Sequence, residues 1–257
     1  MLKKWEDLPE QFKTEEVREY YEILKKKKVG MFFKRLFDII VSFILLCILS
    51  PIFIILAIAI KIDSKGPVFY RQERCTKYGK VFRIFKFRTM VKDADKIGAH
   101  VTQDNDTRIT RVGKVIRKLR LDEICQLIDV LRGTMTFVGT RPEAIKYVDS
   151  YTPEMMATLL LPAGVTSLAS IYYKDEAEIL DGVEDVDKVY VEKILPEKME
   201  YNLKAIKEFS FWRDIKIMFM TVFAVLGKDY KDKSKEKETV ASENVDLIEQ
   251  TNEKEDE

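Results

Sequence analysis

Residues 39–60 read IIVSFILLCILSPIFIILAIAI, and the path of this stretch decides the architecture around it. No charge lies between Asp38 and Lys61, and about 20 apolar residues suffice to cross a bilayer as a helix. The stretch starts too deep in the chain for an ordinary signal peptide, and no small-residue cleavage site follows it. A single spanning helix is one reading. Pro51, near the centre, lacks an N–H and clashes with the preceding turn, so a kink or break is expected there. The Ser50 hydroxyl is placed to satisfy a carbonyl that the proline frees. Each half alone is only about 14–18 Å long at 1.5 Å per residue, too short to span. Basic residues flank both ends: Lys25 to Lys28, Lys34 and Arg35 before, Lys61, Lys65, Arg71 and Arg74 after. The positive-inside rule makes both flanks cytoplasmic, which one crossing cannot satisfy and a re-entrant helix-break-helix can. Spacing alone leaves both paths open.

The net charge of +1 conceals an asymmetry. Residues 61–120 hold 17 Lys and Arg against 6 Asp and Glu, so this stretch needs an anionic partner: phosphate, nucleic acid or lipid headgroups. Residues 228–257 carry 6 basic and 11 acidic side chains with little that is apolar, and such a tail is predicted to be disordered. The three cysteines, Cys47, Cys75 and Cys125, show no metal-type pairing and fit a reducing compartment. With His100 the only histidine, chemistry built on a histidine base is disfavoured.

Outward from the apolar stretch, residues 1–32 read as a charged helical extension leading into it. GPVFYRQER and KVFRIFKFRTM alternate apolar and basic residues and predict a β-hairpin turning near Tyr78-Gly79. RITRVGKVIRKLR contains a basic amphipathic helix, and LPAGV reads as a turn. Asp122 is expected to open a helix, DEICQLIDVLRG, buried through Ile124, Leu127, Ile128 and Leu131 and ending near Gly133. In FSFWRDIKIMFMTVFAVLG, residues 209–227, the apolar residues Trp212, Ile215, Phe219, Val222, Phe223 and Leu226 recur at helical spacing. That stripe suits a helix lying in a membrane interface, or one packed on a protein core.

The adjacent acids Asp122 and Glu123 can serve merely as a helix cap. The density of Lys86, Arg88, Arg117, Arg120 and Arg141 argues for more, because two carboxylates among several cations are the inventory for phosphoryl transfer. The chain resembles the bacterial sugar transferases, the monotopic phosphoglycosyl transferases that begin polyprenol-linked glycan assembly. The resemblance runs from about Phe33 to Leu226 on FKRLFDIIVSFILLCILSPIF, GPVFYRQER, FRIFKFRTM, DTRITRVGKVIRKLRLDE and LIDVLRGTMTFVGTRPE. It implies that Ser50 and Pro51 form the turn of a re-entrant membrane anchor. It implies further that Asp122 attacks the β-phosphate of a UDP-sugar, expelling UMP, and that polyprenol phosphate, undecaprenyl phosphate in bacteria, then takes the phosphosugar. Glu123 would assist, with Asp122 and Glu123 the ligands of Mg²⁺. Arg117 matches an arginine that holds the lipid phosphate, and Lys86, Arg88 and Arg141 match basic positions near the nucleotide sugar.

Three departures stand out. The corner Gly139-Thr140-Arg141-Pro142 has threonine where the family usually has proline, Cys125 replaces a proline common after the acid pair, and Leu161 to Ser170 vary a region lying toward the sugar. The sugar therefore stays open. The expectation is an α+β chain: an extension (1–32), a re-entrant anchor (33–62), a small, mostly helical catalytic domain with a short β-hairpin and a C-terminal interfacial helix (63–227), and the acidic tail. It is placed on the cytoplasmic face of a bacterial cytoplasmic membrane, with no nucleic-acid partner and room for a homodimer. A non-catalytic membrane scaffold, a membrane-anchored nucleic-acid binder and a glycosyltransferase releasing UDP are the rivals.

Overall fold

The computed structural model describes residues 2–94, 106–174, 176, 180 and 185–230. His100 and the acidic tail beyond Tyr230 lie outside the described residues.

The long helix α2 (Lys28–Asp63) is uninterrupted, although Pro51 lies inside it. The expected break is absent, and the reason is local. Proline deprives the carbonyl four residues back, that of Cys47, of its helical donor. The Ser50 hydroxyl supplies one instead, donating to that carbonyl at 2.8 Å. Among the described residues, α2 is the one helix long and apolar enough to cross a bilayer.

One stripe of α2 packs on the rest of the protein along its whole length. Phe37, Val41, Leu45 and Leu49 lie against a core of Leu127, Val130, Met135 and Ile217. Phe53 and Leu56 lie against Phe87, Ile116 and Cys125, with Ile60 buried among them. The opposite face is exposed and apolar: Ile40, Phe43, Ile44, Ile48, Ile54, Ile55 and Ile58. Both ends are tied to the same domain. Near the start, Arg35 donates to the carbonyls of Val130 (2.6 Å) and Leu131 (2.8 Å). Buried Asp38 accepts from the Thr136 hydroxyl at 2.6 Å. At the far end, Asp63 accepts from the backbone N–H of Val112 at 2.9 Å.

The N-terminal extension folds back instead of simply leading in. Helix α1 (Glu15–Lys26) is capped by Thr14, whose hydroxyl accepts from the Val17 N–H. Leu8, Phe12, Val17, Tyr20, Tyr21 and Leu24 are buried against Tyr78, Leu160, Leu203 and Ile206. The extension is thus built into the core of the domain that follows α2.

Strands β1 (Phe69–Thr76) and β2 (Lys80–Phe87) form the expected antiparallel hairpin. It turns through Tyr78 and Gly79, both at positive φ. After α3 (Arg111–Lys118), a tight 3₁₀ turn (Leu121–Glu123) leads to α4 (Gln126–Arg132). Strand β3 (Met135–Val138) pairs in parallel with β4 (Ala163–Thr166). The LPAGV stretch, expected as a turn, supplies this second strand. Gly164 makes the pairing possible at its end, because a Cβ there would meet the Gly139 carbonyl oxygen at 2.2 Å.

Short helices α5 (Ile145–Val148) and α6 (Leu168–Tyr172) follow. Helix α7 (Val186–Val189) then runs through a π-helical turn (Tyr190–Ile194) into α8 (Leu195–Lys207). The last helix, α9 (Phe211–Val225), buries Ile217 and turns Trp212, Phe219, Val222, Phe223 and, just beyond it, Leu226 outward. The stripe read from the sequence is therefore the exposed one except at Ile215, which is half-buried. It adjoins the outer face of α2 across an apolar groove lined by Phe33, Leu36, Ile40, Phe211 and Trp212.

Candidate active site

The acid pair sits in the 3₁₀ turn ahead of α4, and not in the helix it was expected to open. Arg120, at a φ of 55°, reverses the chain after α3 so that the turn presents both carboxylates. α2 braces this segment from both sides, since Asp63 caps the start of α3 and Arg35 caps the end of α4. Gly133, which closes α4 at a φ of 84°, has no side chain to obstruct Arg35; a Cβ there would lie 2.9 Å from the guanidinium.

Glu123 is gripped by two cations. Arg141 donates to it at 2.6 Å and Lys86 at 3.3 Å. Burial alone would raise its pKa, but the positive charges of Arg141 and Lys86 overcome that and hold the carboxyl well below the usual range. Asp122 forms no ion pair among the described residues, and burial, reinforced by the negative charge of Glu123, pushes its pKa up. The two neighbours are thus driven apart: one acid is fixed as an anion, and the other is the more basic and the less encumbered. Burial also lowers the pKa of Lys86, partly offset by Glu123, while Glu123 raises that of Arg141.

These cations arrive by separate routes. Buried Asp129, on α4, accepts from the Phe85 N–H at 2.8 Å, which pins β2 to α4 and sets Lys86 beside Glu123. Arg141 comes from the corner after β3. Its neighbour Glu143 is buried and accepts from the Tyr190 hydroxyl at 2.8 Å and from Lys198 at 3.4 Å. Lys198 also donates to Tyr190 and to Glu176, each at 2.8 Å. No spacing in the sequence advertises this buried network, which joins residues 55 positions apart. Arg117, on α3, forms no ion pair among the described residues, and its charge favours the ionised form of Asp122.

Arg88 belongs elsewhere. It is 5% exposed, and its guanidinium donates to the carbonyls of Ser64 (2.7 Å) and Lys65 (3.2 Å) and to the Ser64 hydroxyl (2.8 Å). Its two Nη atoms close the C-terminal end of α2, with Nε buried and without a partner, so it is not among the side chains gathered at the acids. Cys125 is fully buried against Ile60, Phe87 and Ile116, and burial pushes its thiol pKa up, so it acts as packing. Arg74 is a residue that the sequence reading passed over as a flank charge. It stands on β1 at the edge of this basin, and its pKa is lowered by burial.

The model of the family described as "Bacterial sugar transferase" matches residues 29–228. A UDP-N-acetylgalactosamine-undecaprenyl-phosphate N-acetylgalactosaminephosphotransferase of Aeromonas hydrophila is 37% identical over 198 residues, covering 76% of this chain and 44% of that protein. A UDP-glucose:undecaprenyl-phosphate glucose-1-phosphate transferase of Klebsiella pneumoniae is 39% identical over 201 residues, covering 76% and 40%. A transferase of the same description from Caulobacter vibrioides is 34% identical, covering 76% and 70%. The chain therefore spans less than half the length of the first two relatives, and residues 1–28 of its extension lie outside the family match. With the acids, the basic side chains and the apolar helix assembled as described, the chain belongs to the bacterial sugar transferase family.

Proposed function

We propose that this protein transfers a phosphosugar from a UDP-sugar to a polyprenol phosphate, undecaprenyl phosphate in bacteria, releasing UMP. The observation that carries this reading is the division of the acid pair. Glu123 is clamped by Arg141 and Lys86, while Asp122 is left without an ion pair. A carboxylate attacking a diphosphate meets strong repulsion, so neighbouring cations must neutralise the phosphates. In the first step an Asp122 oxygen forms a bond to the β-phosphorus, and the bridging P–O bond breaks toward the α-phosphate, which leaves with UMP. In the second, an oxygen of the lipid phosphate attacks the same phosphorus and frees the Asp122 carboxylate. Lys86 and Arg141 hold the nucleotide side and Arg117 the lipid phosphate. Arg88 has no part in this, being closed onto α2.

The acid pair suits Mg²⁺, which is commonly held by one or two carboxylates plus substrate phosphates. Asp122 and Glu123 would hold it, and when bound it would neutralise diphosphate charge.

The same reading places the protein on one face of the membrane. α2 is about 54 Å long at 1.5 Å per residue, yet its two ends are tied to one domain. A straight crossing would separate those ends by a hydrocarbon core of about 30 Å. The outer faces of α2 and α9 together offer an apolar surface for shallow, monotopic seating, and the basic flanks favour the cytoplasmic face. The relatives named for N-acetylgalactosamine and for glucose are similarly distant, so they leave the sugar open.

The test is nucleotide release from a panel of UDP-sugars by detergent-solubilised protein with Mg²⁺ and undecaprenyl phosphate. UMP is expected with one donor, together with a labelled phosphosugar adduct, and Asp122→Asn is expected to lose both by more than about 10³-fold. Release of UDP would replace this reading with direct glycosyl transfer.

A further inference from the structure

Of the hairpin's three arginines and Lys86, all but one are occupied by the protein. Arg71 donates twice to the Arg83 carbonyl, at 2.5 and 3.1 Å, and lies over the Phe85 ring. Arg83 pairs with Glu73 at 3.2 Å. Lys86 is on Glu123, and Arg88, just past the strand, is on the end of α2. Arg74 differs. Its one hydrogen bond among the described residues goes to a neutral acceptor, Oε1 of Gln72, at 3.0 Å. It forms no ion pair among the described residues, and none of its nitrogens is sealed from solvent without a partner.

The register fixes where it points. Tyr70 lies opposite Lys86, Gln72 opposite Ile84 and Arg74 opposite Phe82. Opposed and alternate residues share a face, so Arg74 and Gln72 project from the same face as Lys86. The N–H of Cys75, next along the strand, donates to the Glu143 carbonyl at 3.1 Å, which sets this end of β1 beside the corner that carries Arg141. The nearby acids are already committed: Glu123 to Arg141 and Lys86, Glu143 to Tyr190 and Lys198. A half-buried guanidinium whose neighbouring carboxylates are bonded to other groups has donors left for an anion from outside. Its planar fork matches the oxygens of a phosphate.

We infer that Arg74, oriented by Gln72, is a further contact for the diphosphate of the nucleotide sugar, on the Arg141 side of the basin. Arg117, across the acid turn on α3, is left to the lipid phosphate. The inference rests on the phosphosugar-transfer reading and adds a substrate-binding residue to it.

The test uses the full chain in detergent, with two variants, Arg74→Gln and Arg74→Lys. Equilibrium titration with UDP is run beside steady-state turnover of the UDP-sugar that the wild type accepts. In Arg74→Gln, the Kd for UDP and the KM for the UDP-sugar are expected to rise together by about 10- to 100-fold, the worth of a charged hydrogen bond. The KM for undecaprenyl phosphate should stay within about 2-fold. Arg74→Lys, which keeps the charge but loses the fork, should lose less, and it decides the matter if the Gln variant does not fold. Unchanged UDP affinity, or an equal rise in the KM for the lipid, would overturn the assignment of Arg74. A wild type that neither binds UDP nor releases UMP would instead bring down the reading beneath it, and the inference with it.

Discussion

The seam between α2 and the domain and the basin around Asp122 are built from the same kinds of side chain, put to opposite ends. Along the seam each charge is closed on the protein itself. Arg35 and Arg88 cap helix carbonyls, buried Lys34 pairs with Asp214 and donates to the Val138 carbonyl, and Asp63 caps α3. In the basin the cations outnumber their partners: Lys86 and Arg141 share one carboxylate, while Arg74 and Arg117 have none among the described residues. Composition predicts that a stretch so basic meets an anion, but it does not say which arginines do. What separates a structural arginine from a candidate binding one is whether it keeps solvent-reachable donors that carbonyls and carboxylates do not fill.

Replacing a seam arginine should therefore cost the fold and spare the substrate. Arg88→Met removes donors from the buried end of α2 and leaves its carbonyls facing an apolar side chain. The expected loss is about 2–4 kcal/mol of stability, read as a lowered denaturation midpoint, with the UDP-sugar KM of the folded fraction unchanged. A stable Arg88→Met with a raised KM would return Arg88 to the basin and erase the contrast. Arg117→Gln should do the reverse. Stability should hold within about 0.5 kcal/mol, as for surface changes generally, while the KM for polyprenol phosphate rises about 10-fold, or about 1.4 kcal/mol.

The basin has its own internal contrast, which pH can expose. As the proposed nucleophile, Asp122 would have to be ionised, so the rate should fall as pH drops through its raised pKa, and Glu123, held low, should not set that limb. Removing the neighbouring negative charge in Glu123→Gln should move the acid limb of the residual rate to lower pH. Removing a cation that favours the Asp122 anion, in Lys86→Met, should move it to higher pH. Limbs moving in the same direction would mean that another group controls the rate.

How much of this could be read beforehand follows from the range of the interactions. The hairpin, the apolar stripe of α9 and the Ser50–Cys47 bond are local, and the sequence carries them in period, turn residues and spacing. The corner's Arg141 and the acid turn are short motifs, legible as chemistry although the turn's 3₁₀ geometry was not. The parallel strand at Ala163–Thr166 was missed because a four-residue strand has almost no period, and its partner lies 28 positions away, as in the pairing of Met135 with Ala163. The Glu143–Tyr190–Lys198 network and the burial of Arg88 depend on tertiary contacts that leave no pattern along the chain. The extension's return onto the core was missed for a related reason: its charged residues dominate the reading, while Phe12, Val17, Tyr20 and Leu24 do the packing.

The smallest expected effect lies where the seam and the outer face of α2 meet. With Ser50 changed to Ala, the Cys47 carbonyl loses the donor that replaces the one Pro51 cannot give. The cost should be about 1 kcal/mol, that of one hydrogen bond, too little to unfold a helix held along its inner stripe by Leu49, Phe53 and Leu56. It is enough to free a bend at the proline, because an unpaired carbonyl on an exposed, apolar helix face can only be relieved by opening toward another donor. Spin labels at Ile44 and Ile58, both outward-facing, would report it. Ser50→Ala should broaden their distance distribution and shift it shorter, with membrane retention unchanged. An identical distribution would mean that the inner stripe alone keeps α2 in one piece. The hydroxyl would then be incidental to a helix whose two ends the domain already fixes.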